Sequence, residues 1–194
     1  AWRRLRDLAP SPVCEAPLRE LQPSLLAGLA RCAAPDRALV NLERFLRDAP
    51  HPVDLLARLL ADANTLEMLV TLFAGSQHLT EILLRNPGYF ALLEERSGIA
   101  QVKSAGAMTV EARTATDPWL TEPGVGVPHS TPEQGVRPGG AAPPPESQVA
   151  LDALRRFQQR EFLRIGLADL NGLLSLNAVT GQLSRLADVV IRTA

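Results

Sequence analysis

Apolar positions recur along this chain at three- and four-residue intervals, the period of a helix face, and nowhere alternate long enough to suggest a strand. A weak helix over Trp2–Leu8 is closed by Pro10 and Pro12. Pro17–Ala34 reads as helical with a break at Gln22-Pro23, where Pro23 suits the first position of a fresh helix and Ser24 follows it. Leu39, Leu42, Phe45 and Leu46 then share one face behind Asp36, a candidate cap. His51-Pro52 ends that helix, and Pro52 opens the next over Val53–Ala63. Asn64, with Glu67 three residues on, has the arrangement of a capping box. It starts a helix that carries Leu66, Leu69, Val70 and Phe73 to a stop at Gly75. Ser76 caps another with Leu79, Ile82 and Leu83, ended by Asn86-Pro87-Gly88, and Tyr89–Glu95 adds one short helix.

The pattern lapses near residue 100. Residues 101–150 hold eight of the 16 prolines and six of the 13 glycines but a single leucine, Leu120. Such a stretch cannot bury enough apolar surface to offset its ordering entropy, which predicts a flexible insertion with an extended tail at Pro143-Pro144-Pro145. Trp119 and His129 within it read as loop residues or, alternatively, as parts of a binding motif. Helical periodicity returns over Gln148–Leu176 and Ala178–Ala194, with Asn177 or Thr180 near the joint. The expected class is all-α, an antiparallel helical bundle with a long disordered Pro/Gly-rich insertion. The expected divisions are a helical region over 1–99, the insertion over 100–149, and two helices over 150–194.

Composition fits that class. Leucine occurs 33 times in 194 residues, and aromatics make up only 4%. A formal net charge of −1 argues against a dedicated nucleic-acid binder. No apolar run approaches membrane-spanning length, and no signal peptide opens the chain, so neither membrane nor secretion is expected. Cys14 and Cys32 alone make neither a zinc site nor a disulfide scaffold, which makes a reduced cytoplasmic setting the default. The start at Ala1 and the stop at Ala194, within a helical pattern, suggest a piece of something longer.

Candidate chemistry is sparse. There is no glycine-rich phosphate cradle, and His51, His78 and His129 have no metal-ligand partner at helical spacing. Gly75-Ser76 is not followed by the paired aspartates that a magnesium-dependent nucleotidyl-transfer site needs, so it reads as a helix stop and a cap. Catalytic, cofactor-binding and metal residues are therefore expected to be none. The segment Leu154–Ile165 is different, with Arg155, Arg156, Arg160 and Arg164 together with Glu161 on one helix. Phe157, Glu161, Arg164 and Ile165 fall on one face, where charges are costly unless paired. Glu161 reaches Arg164 at i+3, and Asp169 lies four residues beyond Ile165. These six charged residues form either a partly buried ion-pair network or a face turned to an acidic or phosphate-bearing site; a solvated face is the third possibility.

Four blocks carry a resemblance to a known family. They are Asp36–Phe45 (DRALVNLERF), Leu72–Leu79 (LFAGSQHL) running on to Leu84-Arg85-Asn86-Pro87, Leu154–Ile165 with Asp169-Leu170, and Leu183–Asp188 (LSRLAD). In this order they resemble the N-terminal part of the glutamine synthetase adenylyltransferase family, the bifunctional enzymes that adenylylate and deadenylylate glutamine synthetase. The resemblance implies a helical lead-in to a nucleotidyltransferase unit whose Gly-Ser-x-Asp-x-Asp carboxylates lie further along. It implies Mg²⁺ and ATP for the full-length enzyme, with glutamine synthetase and the PII signalling protein as partners. On that expectation this chain alone is inactive and serves as scaffold. A stand-alone helical interaction module without catalysis is the alternative.

Overall fold

The computed structural model describes residues 12–117 and 146–194, and these are all-α, with no strand among them. The expected helix over Trp2–Leu8, together with Trp119 and His129, lies outside the described residues. In chain order the helices are α1 (Pro12–Ala30), α2 (Pro35–Asp48), α3 (Pro52–Ala61), α4 (Ala63–Gly75) and α5 (Gln77–Arg85). A 3₁₀ turn over Pro87–Phe90 and two single turns, α6 (Ala91–Glu94) and α7 (Arg96–Ile99), follow. The remaining helices are α8 (Ala105–Thr116), α9 (Glu146–Leu170) and α10 (Leu176–Thr193). They divide between two compact units, one holding the chain up to Val102 with Arg160–Leu183, the other holding Lys103–Gln159 with Ser184–Ala194.

The first unit is built around α4, whose Leu66, Leu69, Leu72 and Phe73 are all but inaccessible to solvent. α1 packs against α3 and α4, while α2 packs against α4 and α5. α1 does not break at Pro23 as its sequence suggests; it runs through both Pro17 and Pro23. Each proline removes one intrahelical hydrogen bond. The stripe Leu18, Leu21, Leu25 and Leu29, buried at three- and four-residue spacing, keeps the helix continuous across them. Phe45 meets Phe73 edge-on with ring centroids 5.7 Å apart and leans on Phe90 at 5.9 Å, tying α2 to α4 and the 3₁₀ turn. Leu163, Leu167 and Ala168 of α9 complete this core.

Several caps differ from the sequence reading. Pro35, not Asp36, opens α2, and Asp36 stands in its first turn. α4 is capped by Asp62 rather than Asn64: the Asp62 carboxylate accepts from the Asn64 amide at 2.9 Å and from the Thr65 hydroxyl at 2.7 Å. These two bonds, that from Thr65 foremost, hold the Asp62 carboxyl below its usual range. Ser76 does cap α5, accepting from the Leu79 amide at 3.3 Å. α9 ends six residues earlier than expected. Gly172 takes the left-handed conformation (φ +63°). Its amide bonds the Asp169 carbonyl at 3.0 Å, and the Leu173 amide bonds Ala168 at 2.8 Å, a Schellman stop.

In the second unit, α8 occupies the first part of the stretch expected to be an unstructured insertion. Ser104 caps it at the Ala107 amide, and Met108 and Ala112 are fully buried. A one-turn apolar pattern of only Met108 and Ala112 is hidden by the proline and glycine count of the longer window. Leu154, Phe157, Leu186 and Val189 are the buried apolar residues of the same unit from α9 and α10.

Candidate functional site

The charged residues singled out on α9 separate into two environments. Glu161 and Arg164 lie on the helix face that also carries buried Ile165, and their side chains are only 1% and 3% exposed. Arg164 Nε donates to Glu161 Oε2 at 2.9 Å. Its Nη1 donates to two backbone carbonyls, Ile99 at 3.2 Å and Gln101 at 2.8 Å, and its Nη2 donates to Gln182 Oε1 at 2.9 Å. Gln182 is itself fully buried. Burial of a guanidinium is tolerated only when its charge and its N–H groups are satisfied together. Here one carboxylate, two carbonyls and one amide oxygen do so, joining α9, the chain after α7 and α10 within one unit.

Arg155, Arg156, Arg160 and Asp169 are not part of this node; all four are exposed. Arg155 pairs with Asp152 at 3.1 Å, with both side chains more than half exposed, where such pairs contribute little. The apolar register that places Glu161 and Arg164 inside was legible in the sequence. Gln182 and the two carbonyls were not, because a backbone oxygen sixty residues away has no sequence signature.

A second polar cluster joins two of the blocks that carry the resemblance. Along one face of α2, Arg37 donates to the Ala74 carbonyl, and Asn41 donates to the Phe73 carbonyl at 3.1 Å and to Gln77 Oε1 at 3.3 Å. Arg44 forks onto Glu81 at 2.8 and 3.3 Å, and Gln77 donates to Glu81 at 2.8 Å. The Arg44 and Gln77 bonds hold the Glu81 carboxyl below its usual range, and Arg44 is raised in return. Arg37, Asn41 and Arg44 stand at i, i+4 and i+7, a polar stripe that the sequence reading did not single out. It secures the end of α4 and the start of α5 around Ser76.

Among the described residues no group of three or more His, Cys, Asp or Glu side chains could hold a metal ion. His51 stands exposed at the head of α3, and the His78 ring sets its edge against Phe162 at 5.4 Å. Gly75 lies where an added Cβ would come within 2.9 Å of Leu170, so close helix approach explains it. No helix among the described residues is long and apolar enough to cross a membrane.

The glutamate-ammonia ligase adenylyltransferase family model matches residues 136–194, which include Glu161, Arg164 and Gln182. Three proteins called bifunctional glutamine synthetase adenylyltransferase/adenylyl-removing enzyme are similar over most of the chain. That of Xanthobacter autotrophicus is 27% identical over 91% of the chain, that of Thioalkalivibrio sulfidiphilus 29% over 90%, and that of Corynebacterium glutamicum 26% over its full length. The chain spans only 15–16% of the length of these relatives. No solved structure matches it significantly.

Proposed function

We propose, from the premise that the chain is a member of the glutamine synthetase adenylyltransferase family, that it is a helical brace for the catalytic unit of a bifunctional regulator. The regulator would add AMP to a tyrosine of glutamine synthetase and remove it, in the cytoplasm and under control of the PII protein. The observation that carries the reading is the Arg164 node. Arg164, Glu161 and Gln182 lie inside the family-matched segment, and beyond its bond to Glu161 within α9, Arg164 ties that helix to Ile99, Gln101 and Gln182 elsewhere in the chain. A guanidinium with four of its five N–H groups engaged and its side chain 3% exposed supports a bracing role over a phosphate-facing one.

Nucleotidyl transfer requires carboxylates converging on Mg²⁺ to hold the triphosphate and neutralise developing charge. Among the described residues no three His, Cys, Asp or Glu side chains converge in this way, and no chemical step is assigned to this chain. Its residues bind and orient neighbouring segments. The test has two arms. Incubated with adenylylated glutamine synthetase and phosphate, the chain is expected to release no ADP, whereas the product of the coding sequence extended beyond Ala194 is expected to do so. That extension should encode Gly-Ser-x-Asp-x-Asp; a stop codon directly after Ala194, or ADP release by the chain alone, overturns the proposal.

A further inference from the structure

A cleft of about 240 Å³ opens in the first unit between the α2–α3 loop, one side of α3 and the 3₁₀ turn. Its floor is the tilted pair Phe45 and Phe90, with Leu55 beside them. Pro50 and Pro87 form stiff walls, since neither ring can change φ to fill the space. Gly88 lies at the lining, and a Cβ built there meets nothing within 4 Å, so the mouth is open on that side.

The lip is charged unevenly. The Arg58 guanidinium sits 4.6 Å from the Phe90 ring centroid, and both its Nε and Nη2 donate to the Glu94 carboxylate, the first at 2.6 Å. Arg58 is therefore already committed to an aromatic face and a carboxylate. Asp54, one turn before Arg58 on α3, presents an exposed carboxylate at the same lip, beside the exposed ring of His51. Counting Arg58, Glu94 and Asp54, the lip carries a net negative charge at neutral pH.

Size and charge together select an occupant. The volume falls below the roughly 300–1,000 Å³ of a small-molecule site and suits one large side chain. Phe45 and Phe90 are themselves only 2% exposed, so the apolar surface open to an occupant is that of Ala49, Pro50 and Pro87, against whose flat proline rings a flat aromatic side chain packs best. A cation following that group would face Asp54, whereas an anion would meet Asp54 and a guanidinium already engaged. We propose that this cleft is a docking site for a partner protein segment with an aromatic anchor residue followed by a cationic one. The inference is independent of the reading of the chain as a brace.

The probes are three blocked tetrapeptides, acetyl-Ala-Trp-Lys-Ala-amide, its Trp-Glu counterpart and its Ala-Lys counterpart, titrated into the ¹⁵N-labelled chain. The Trp-Lys peptide is expected to move the amide signals of Leu55, Gly88 and Phe90 and to bind at least threefold more tightly than the Trp-Glu peptide. The Ala-Lys peptide should leave those signals in place. Asp54→Asn should bring the two tryptophan peptides within twofold of each other. Equal or reversed preference in the unmodified chain, no response at the cleft, or an undiminished preference in Asp54→Asn would each overturn the assignment.

Discussion

Glu161 and Arg164 show how two charges can lie inside a leucine-rich core. Removing a single partner strands the other in a low-dielectric setting, whereas removing both strands neither. Arg164→Met is accordingly expected to destabilise the chain by about 3–5 kcal/mol in urea titration. The double variant Glu161→Met/Arg164→Met should cost less than the single one, because it also removes the buried carboxylate that the single variant leaves without Arg164. A double variant as damaging as the single would mean that the clamp, and not the carboxylate deprived of Arg164, sets the cost. Glu43 illustrates the opposite situation on α2. It is 4% exposed, Arg47 bonds one of its oxygens, and the other, Oε2, is buried without a partner.

Helices here end and meet through glycine in two distinct ways. Gly172 supplies a positive φ, and nothing lies within 4 Å of a Cβ added there. Gly172→Ala should therefore cost about 1 kcal/mol through the backbone alone. At Gly166 the backbone is ordinary, but an added Cβ would stand 2.4 Å from Leu79 Cδ1. Gly166→Ala is expected to cost about 1–3 kcal/mol by overpacking. Leu79→Ala should relieve part of that cost while leaving the Gly172→Ala cost unchanged, a difference that a double-mutant cycle in denaturant would read. These two glycines also mark how far the sequence could be read. The run Leu170, Leu173, Leu174 and Leu176 sustains helical periodicity straight through Gly172, so the stop was obscured by its apolar neighbours. The core faces of α2, α4 and α5 were legible because their leucines keep helical spacing. Asp62 escaped notice because Asn64 offered an equally good cap two residues later.

Over the whole chain, the pH response follows from the depressed carboxyls. Asp62 and Glu81 have folded-state pKa values below their unfolded ones, so the stability they contribute is complete above the ordinary carboxylate range near 4. It is lost as pH falls through the lower folded values. The melting temperature should thus hold steady from about pH 7 to 5 and drop below about pH 4. Asp62→Asn combined with Glu81→Gln should start lower at neutral pH and lose less between pH 5 and 3; parallel curves would remove these two groups as the cause. The same scale decides what sequence reasoning could reach of the candidate site. Helical spacing identified the pair on α9, but the partners that turn it into a node come from residues 99, 101 and 182, contributed by tertiary folding. Composition averaged over fifty residues likewise hid α8, whose few buried contacts lie beside a long proline-rich run.

The chain leaves the first unit just after Gln101 and returns at Arg160, and Arg164 grips both sides of that gap. It acts as a drawstring at the neck of a long excursion. Once the neck is tied, doubling the length of chain beyond it adds only about 0.6 kcal/mol of closure entropy. The excursion could therefore be lengthened, shortened or rewritten without loosening the first unit, provided the arginine and its carbonyl partners stay in register.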